Sequence, residues 1–167
     1  MIIEVLALIV LGQSGGVDMM TQSALVGALR EVRSSAQFYE SAAQRQGKAF
    51  PFADLARTER RHERLLLGLL KTYQVAVPEP PKPISVPKTL TATLKIGVGL
   101  EKHAISEYSH FLGYVKPQDI NDIFTIIKVT ARDLHLPTLQ KKLGPEGSPK
   151  LTPTQVRQIR DKVNKRR

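Results

Sequence analysis

The feature that most limits the fold is a proline-rich segment near the middle of the chain. Residues 75–88 read VAVPEPPKPISVPK and contain five of the eleven prolines. Proline fixes φ and has no backbone N–H, so this segment is expected to be extended and close to polyproline II. At about 3.1 Å per residue, ten such residues cover about 31 Å, which is the length of a 20-residue helix. The segment can therefore carry the chain from one end of a helical bundle to the other.

Hydrophobic periodicity predicts four helices, two before this segment and two after it. Their approximate ranges are 21–46 and 52–73, then 88–115 and from 117–119 to 143. Pro137 lies inside the fourth stretch, where it removes one helical hydrogen bond and is expected to kink the helix. The aromatic content is 5% and there is no Trp, a composition that favours aliphatic helix packing. Two short connections and one long middle crossover predict an all-α four-helix bundle.

The chain is expected to contain one domain, residues 21–143, between two terminal segments. Residues 1–20 begin with the apolar run MIIEVLALIVLGQSGG, which is too short for a membrane-spanning helix. A secretory signal would have a basic residue before the apolar run, whereas this one has Glu4. The segment is interpreted as an atypical export leader or as a segment docked on the protein, a partner or a membrane. A third interpretation is that the start is placed too early and that Met19 or Met20 is the true start. The compartment, cytoplasmic or exported, stays open.

The C-terminal segment, residues 144–167, is strongly basic. Residues 141–167 contain nine basic and two acidic residues, so they carry seven of the ten net positive charges. Thr152, Pro153 and Gln155 predict the start of a short basic helix. A protein partner or self-assembly is the favoured role, followed by contact with an anionic partner. Nucleic-acid binding is disfavoured, because the segment has no aromatic residue to stack on bases and no DNA-binding motif.

Several charged or ionisable side chains lie on the apolar faces of the predicted helices. At about 100° per residue, five of them share a face with core positions: Glu31, Glu59, His62, Glu101 and His135. A buried carboxylate needs a cation, a hydrogen-bond network or a shifted pKa. At least one of the five comes from each helix, so they are candidate metal ligands that meet inside the bundle.

These motifs resemble a known family. Glu31 and Glu101 are each followed seven residues later by an aromatic residue, and Glu59-x-x-His62 lies on the second helix. The pattern is similar to rubrerythrin- and ferritin-type bundles, and about residues 22–143 resemble an uncharacterised prokaryotic ferritin-like family. The resemblance implies a carboxylate site for iron or manganese, with redox activity toward oxygen or peroxide.

One position departs from the ferritin pattern and leaves two interpretations open. The family would have Glu three residues before His135, but this chain has Arg132, so a complete six-ligand di-metal site is not present. In the first interpretation the five candidates bind one metal or a rearranged pair. In the second, Arg132 points inward, replaces the metal and balances the carboxylates, and the bundle is a structural or accessory subunit.

Other chemistry finds little support in the sequence. The chain has no Cys, which excludes disulfides, thiolate metal sites and Cys nucleophiles. The stripe His103, Glu107 and His110 is predicted to lie nearly opposite Glu101, where a solvated or partner-contacting face is favoured over a surface metal site. No phosphate-binding loop, nucleophile–base pair or cofactor motif is recognisable.

Overall fold

The computed structural model describes residues 16–47 and 51–144. All regular structure in these two ranges is helical, and there are no strands in them. The helices are α1 (Met19–Arg45), α2 (Phe52–Thr72), α3 (Leu90–Phe111), α4 (Gln118–Thr130) and α5 (Leu136–Leu143), with a π-helical turn (Ala131–His135) between α4 and α5. Because α4, the π-helical turn and α5 are continuous, they form one rod. The described part of the chain therefore has the predicted all-α architecture of four helical rods.

Capping side chains define where two of the helices begin. The Asp18 carboxylate accepts hydrogen bonds from the backbone N–H of Thr21 at 2.9 Å and from its hydroxyl at 2.8 Å, which caps α1. The Thr89 hydroxyl accepts a bond from the N–H of Ala92 at 3.3 Å. This cap explains why α3 begins at Leu90, two residues later than the periodicity predicted.

The proline-rich segment follows α1 along its length. The Arg33 side chain donates to the carbonyl of Pro78 at 3.0 Å, and the Gln46 amide donates to the carbonyl of Pro87 at 3.2 Å. Arg33 and Gln46 are thirteen residues apart, which is roughly 20 Å along a helix. The segment therefore returns the chain toward the end of α1 that lies beside the start of α2, and α3 begins there.

Among the described residues, the buried core consists of two apolar clusters with a polar layer between them. One cluster contains residues of all four rods near the start of α1, including Leu25, Leu66 and Phe124. The other lies near the end of α1 and includes Phe38 and Leu139. Buried polar side chains occupy the level between them: Ser35, Glu59, His62, Glu101 and His135. A dry polar layer of this kind needs internal partners for every charge.

A π-helical turn, which the sequence did not predict, comes directly before the turn that contains Pro137. The backbone N–H of Leu136 donates to the carbonyl of Ala131, five residues earlier, so the turn before the proline is widened. Proline has no N–H and its ring crowds the carbonyl four residues back, which explains why the regular ladder is interrupted here. π-Helical turns inside α-helices often occur at functional sites.

Two predicted terminal features fall largely or wholly outside the described ranges. Residues 1–15 of the apolar leader and the basic helix predicted after residue 144 are not described, so their proposed partners, including a membrane or an anionic partner, stay predictions. The boundary at residue 20 differs slightly from the structure, because Met19 and Met20 already belong to α1. None of the helices in the described ranges is both long enough and apolar enough to cross a membrane.

Candidate metal centre

Glu59 and His62 lie on the buried face of α2. Both residues are only 4% exposed. Their spacing of three places them one above the other on the helix, and the Nδ1 atom of His62 lies 3.2 Å from Oε2 of Glu59. One oxygen of the Glu59 carboxylate is thus occupied by its neighbour on the same helix, and Oε1 faces the other rods.

Glu101 comes from α3 and is 2% exposed. Its Oε1 accepts a hydrogen bond of 2.5 Å from the hydroxyl of Tyr39 on α1. The Tyr39 ring is fixed by an edge contact with Phe38 and stacking on Phe52. A rigid aromatic residue therefore holds one oxygen of Glu101 and leaves Oε2 directed toward the bundle axis.

His135 is the last residue of the π-helical turn and completes the group. Its Nδ1 atom lies 3.2 Å from Oε1 of Glu59 and 3.3 Å from Oε2 of Glu101. Although both oxygens are near, Nδ1 makes no hydrogen bond of acceptable geometry. Glu59, Glu101 and His135 are all buried and lie close enough together to hold a metal ion, and they form the one such group in the ranges that the structure describes.

The charges in this layer shift one another's ionisation. Burial lowers the pKa of His135, but the Glu101 and Glu59 carboxylates outweigh it and raise the pKa to about 9. Burial raises the pKa of Glu59, but His135 and His62 reverse the effect, so its pKa is lowered. Glu101 faces only one of the two imidazoles, and burial therefore keeps its pKa above the ordinary value. Without a metal, His135 is a cation at neutral pH and balances these carboxylates.

Glu31 lies at the edge of this layer rather than inside the group of three. The residue is half-buried, and its carboxylate accepts a hydrogen bond of 2.9 Å from the Ser35 hydroxyl and one of 3.4 Å from the Tyr108 hydroxyl. Burial of the carboxyl group, followed by the nearby charge of Glu59, raises its pKa well above the ordinary value. Its predicted role as a metal ligand stays a prediction.

The predicted inward position of Arg132 is wrong. The Arg132 side chain is 54% exposed and pairs with Asp133, with Nε 2.7 Å from Oδ1. In a regular α-helix positions 132 and 135 would share a face, but the π-helical turn contains more residues per turn and separates them. The turn directs His135 into the core and leaves Arg132 in solvent, so Arg132 does not replace a metal.

The stripe of His103, Glu107 and His110 lies toward solvent, as the periodicity predicted. Nε2 of His103 lies 3.0 Å from Oε2 of Glu107, and the His103 side chain is 67% exposed. His110 packs against the Tyr114 ring instead, with the ring centroids 5.3 Å apart. The three side chains do not form a common group of candidate ligands.

Two contacts could not be read from helical periodicity. Tyr39 and Glu101 are 62 residues apart in sequence, and no local pattern links them. The convergence of Glu59 with His135 likewise depends on the π-helical turn, whose one signal in the sequence is Pro137.

Comparison with known proteins shows a similar fold and assigns no function. The chain is similar to the crystal structure of a hypothetical protein from Methanococcus jannaschii DSM 2661, with a TM-score of 0.68 over 76% of this chain and 81% of that chain, at 17% identity. At this identity the likeness shows a shared helical fold alone. No family model matches the sequence, and no curated protein matches it.

Proposed function

We propose that this chain is a ferritin-like metal-binding protein in which Glu59, Glu101 and His135 hold one iron or manganese ion. The observation that carries the proposal is the Nδ1 atom of His135. It is buried, lacks a hydrogen bond and faces one carboxylate oxygen from each of two other rods. The return of the proline-rich segment along α1 agrees with the crossover of a ferritin-like bundle.

Two of the three distances between the donor atoms fit a metal ion. Ligand atoms about 2.1 Å from a metal, at angles between tetrahedral and octahedral, lie about 3.0–3.4 Å apart. The two distances from His135 Nδ1, 3.2 and 3.3 Å, fall in this range. Two carboxylate oxygens and one imidazole nitrogen form a donor set that suits manganese and iron as well as zinc.

The surrounding side chains would support such an ion. His62 holds the second oxygen of Glu59, and Tyr39 holds the second oxygen of Glu101. Each carboxylate therefore presents a single oxygen to the centre, in an orientation fixed by a hydrogen-bonded neighbour. A bound iron or manganese ion would supply Lewis acidity or electron transfer at its remaining coordination positions.

Elemental analysis of the purified protein tests the proposal directly. After anaerobic loading with Fe²⁺ or Mn²⁺ and removal of free metal, we expect about one ion per chain, and Glu59→Gln should abolish the binding. The matched control is Glu40→Gln, which changes a glutamate that pairs with Arg60 on the outer side of α1 and α2. Retention of iron, manganese and zinc well below one per chain in the wild-type protein would refute the metal site.

Loss of the Tyr39 hydroxyl is expected to weaken metal binding. Tyr39→Phe removes the donor that orients Glu101, and the loss of such a supporting contact reduces metal affinity about 10- to 100-fold. Tyr108→Phe is the control, because Tyr108 is equally buried but its hydroxyl makes only 3.4 Å contacts with Ala28 and Glu31. Titration of both variants with Mn²⁺, followed by electron paramagnetic resonance, measures the difference. Equal affinities in the two variants would contradict the orienting role of Tyr39.

A metal-free structural role is the second candidate function. It is favoured by the pKa of His135, which the carboxylates raise to about 9 despite burial. In this case protonated His135 performs the role that the sequence had suggested for Arg132, and the bundle acts as a structural or accessory subunit. Failure to bind metal, combined with strong destabilisation when His135 is replaced, would favour this candidate.

A further inference from the structure

A surface pocket between α1 and α3 reaches the edge of the polar layer. Its volume is about 350 Å³, and its lining includes Glu31 and Ser35 of α1 and His103 and Glu107 of α3. Pro81 of the proline-rich segment contributes a further wall. The pocket is therefore formed by three separate parts of the chain that meet beside the candidate metal centre.

Glu31 connects this pocket with the buried group. It belongs to the lining of the pocket, and its carboxylate is held by Ser35 and Tyr108 within the bundle. The Glu59 and Glu101 carboxylates both lie near enough to raise the pKa of Glu31. A cation that reached Glu31 from solvent would thus be next to the candidate ligands Glu59 and Glu101.

The outer part of the pocket contains opposite charges. Glu107 is partly exposed, with 28% of its side chain accessible, and pairs with the more exposed His103. Arg30 also lines the pocket and is exposed. Glu107 would attract a divalent cation at this opening, whereas Arg30 would repel it, so the two residues predict opposite effects on the rate of metal uptake.

We propose that the pocket is the entrance through which a divalent cation reaches the centre, with Glu107 as the first contact and Glu31 as the inner one. This inference depends on the proposed function, because it concerns loading of the same centre. It assigns Glu31 and Glu107 a role in metal uptake. This role is separate from coordination of the bound ion by Glu59, Glu101 and His135.

Stopped-flow loading with Co²⁺, followed by its visible absorption, tests the entrance. Glu107→Gln should slow the observed rate about three- to tenfold at low ionic strength, and Arg30→Gln should increase it. Ser34→Phe places a large side chain in the pocket and should slow loading at every salt concentration. The final number of ions per chain should stay unchanged in all three variants, because none of these residues contacts the three ligands.

Glu79→Gln is the matched control, since Glu79 is an exposed glutamate of the proline-rich segment outside this pocket. Its loading rate should equal that of the wild-type protein. Unchanged rates in Glu107→Gln and Ser34→Phe, with normal uptake by the wild-type protein, would overturn the entrance alone. Equal slowing by Glu79→Gln and Glu107→Gln would also overturn it, because the effect would then reflect total charge. An absence of Co²⁺ uptake by the wild-type protein would refute the metal centre and the entrance together.

Discussion

Replacing His135 with glutamine is expected to have the largest effect on stability of any single substitution in the polar layer. Glu59 and Glu101 would lose the positive charge that faces them, and removal of one partner from a buried ion pair costs about 3–5 kcal/mol. The metal-free variant at pH 7 should therefore be less stable by about 3 kcal/mol in urea unfolding, because partial protonation of the carboxylates relieves some of the cost. Metal affinity should fall at least about 100-fold, since one of three ligands is lost.

Arg132→Gln is the control for this substitution. Arg132 is three residues away and carries a charge, but its side chain is exposed, so its replacement should change stability by less than about 0.5 kcal/mol. Adding Glu101→Gln to His135→Gln should restore part of the lost stability, because it removes a carboxylate that no longer has a partner. If His135→Gln is as stable as Arg132→Gln, His135 does not balance the buried carboxylates.

The metal-free protein is expected to lose roughly 3 kcal/mol of stability as the pH rises from 6.5 to 9, at 1.36 kcal/mol for each pKa unit. The pKa of His135 is raised to about 9 in the folded state, above the value of about 6.5 in an unfolded chain. A raised pKa means that the folded state binds the proton more tightly. Its contribution is therefore complete below pH 6.5 and disappears as the pH passes through 9.

The groups that face His135 determine how this measurement is made. Glu59 and Glu101 lie against its Nδ1 atom, and the His62 ring is 6.4 Å away between centroids. The raised pKa of Glu101 and of Glu31 also makes stability fall with rising pH. Urea unfolding of the wild-type protein and of His135→Gln across this pH range tests the assignment. The variant lacks the His135 contribution, and its Glu59 and Glu101 carboxylates lose the neighbour that lowers their pKa values. Parallel pH profiles would contradict the assignment.

Metal binding should show the opposite dependence on pH. The ion and the proton compete for Nδ1 of His135, so the affinity for Mn²⁺ should rise about tenfold per pH unit below the pKa of His135. Urea unfolding of the metal-free and the metal-loaded protein across this pH range therefore distinguishes the two candidate functions.

The amino-acid sequence by itself determined the helices and most of their buried faces. Glu59, His62 and Glu101 follow the same 3.6-residue periodicity as the leucines and alanines around them, and their burial in the structure reflects that local geometry. The proline-rich segment likewise excludes a helix or an inner strand by its own chemistry.

Only the tertiary structure decided which charges meet. Periodicity placed Arg132 and His135 on one face, but the widened turn before Pro137 turned Arg132 to solvent and directed His135 toward Glu59 and Glu101. Tyr39 reaches Glu101 from another helix, a contact that depends on how the rods pack. Helical periodicity fixes the direction of a side chain relative to its own helix axis, whereas ionisation and metal affinity depend on distances of a few ångströms between atoms of different helices, and these distances exist only after the rods have packed.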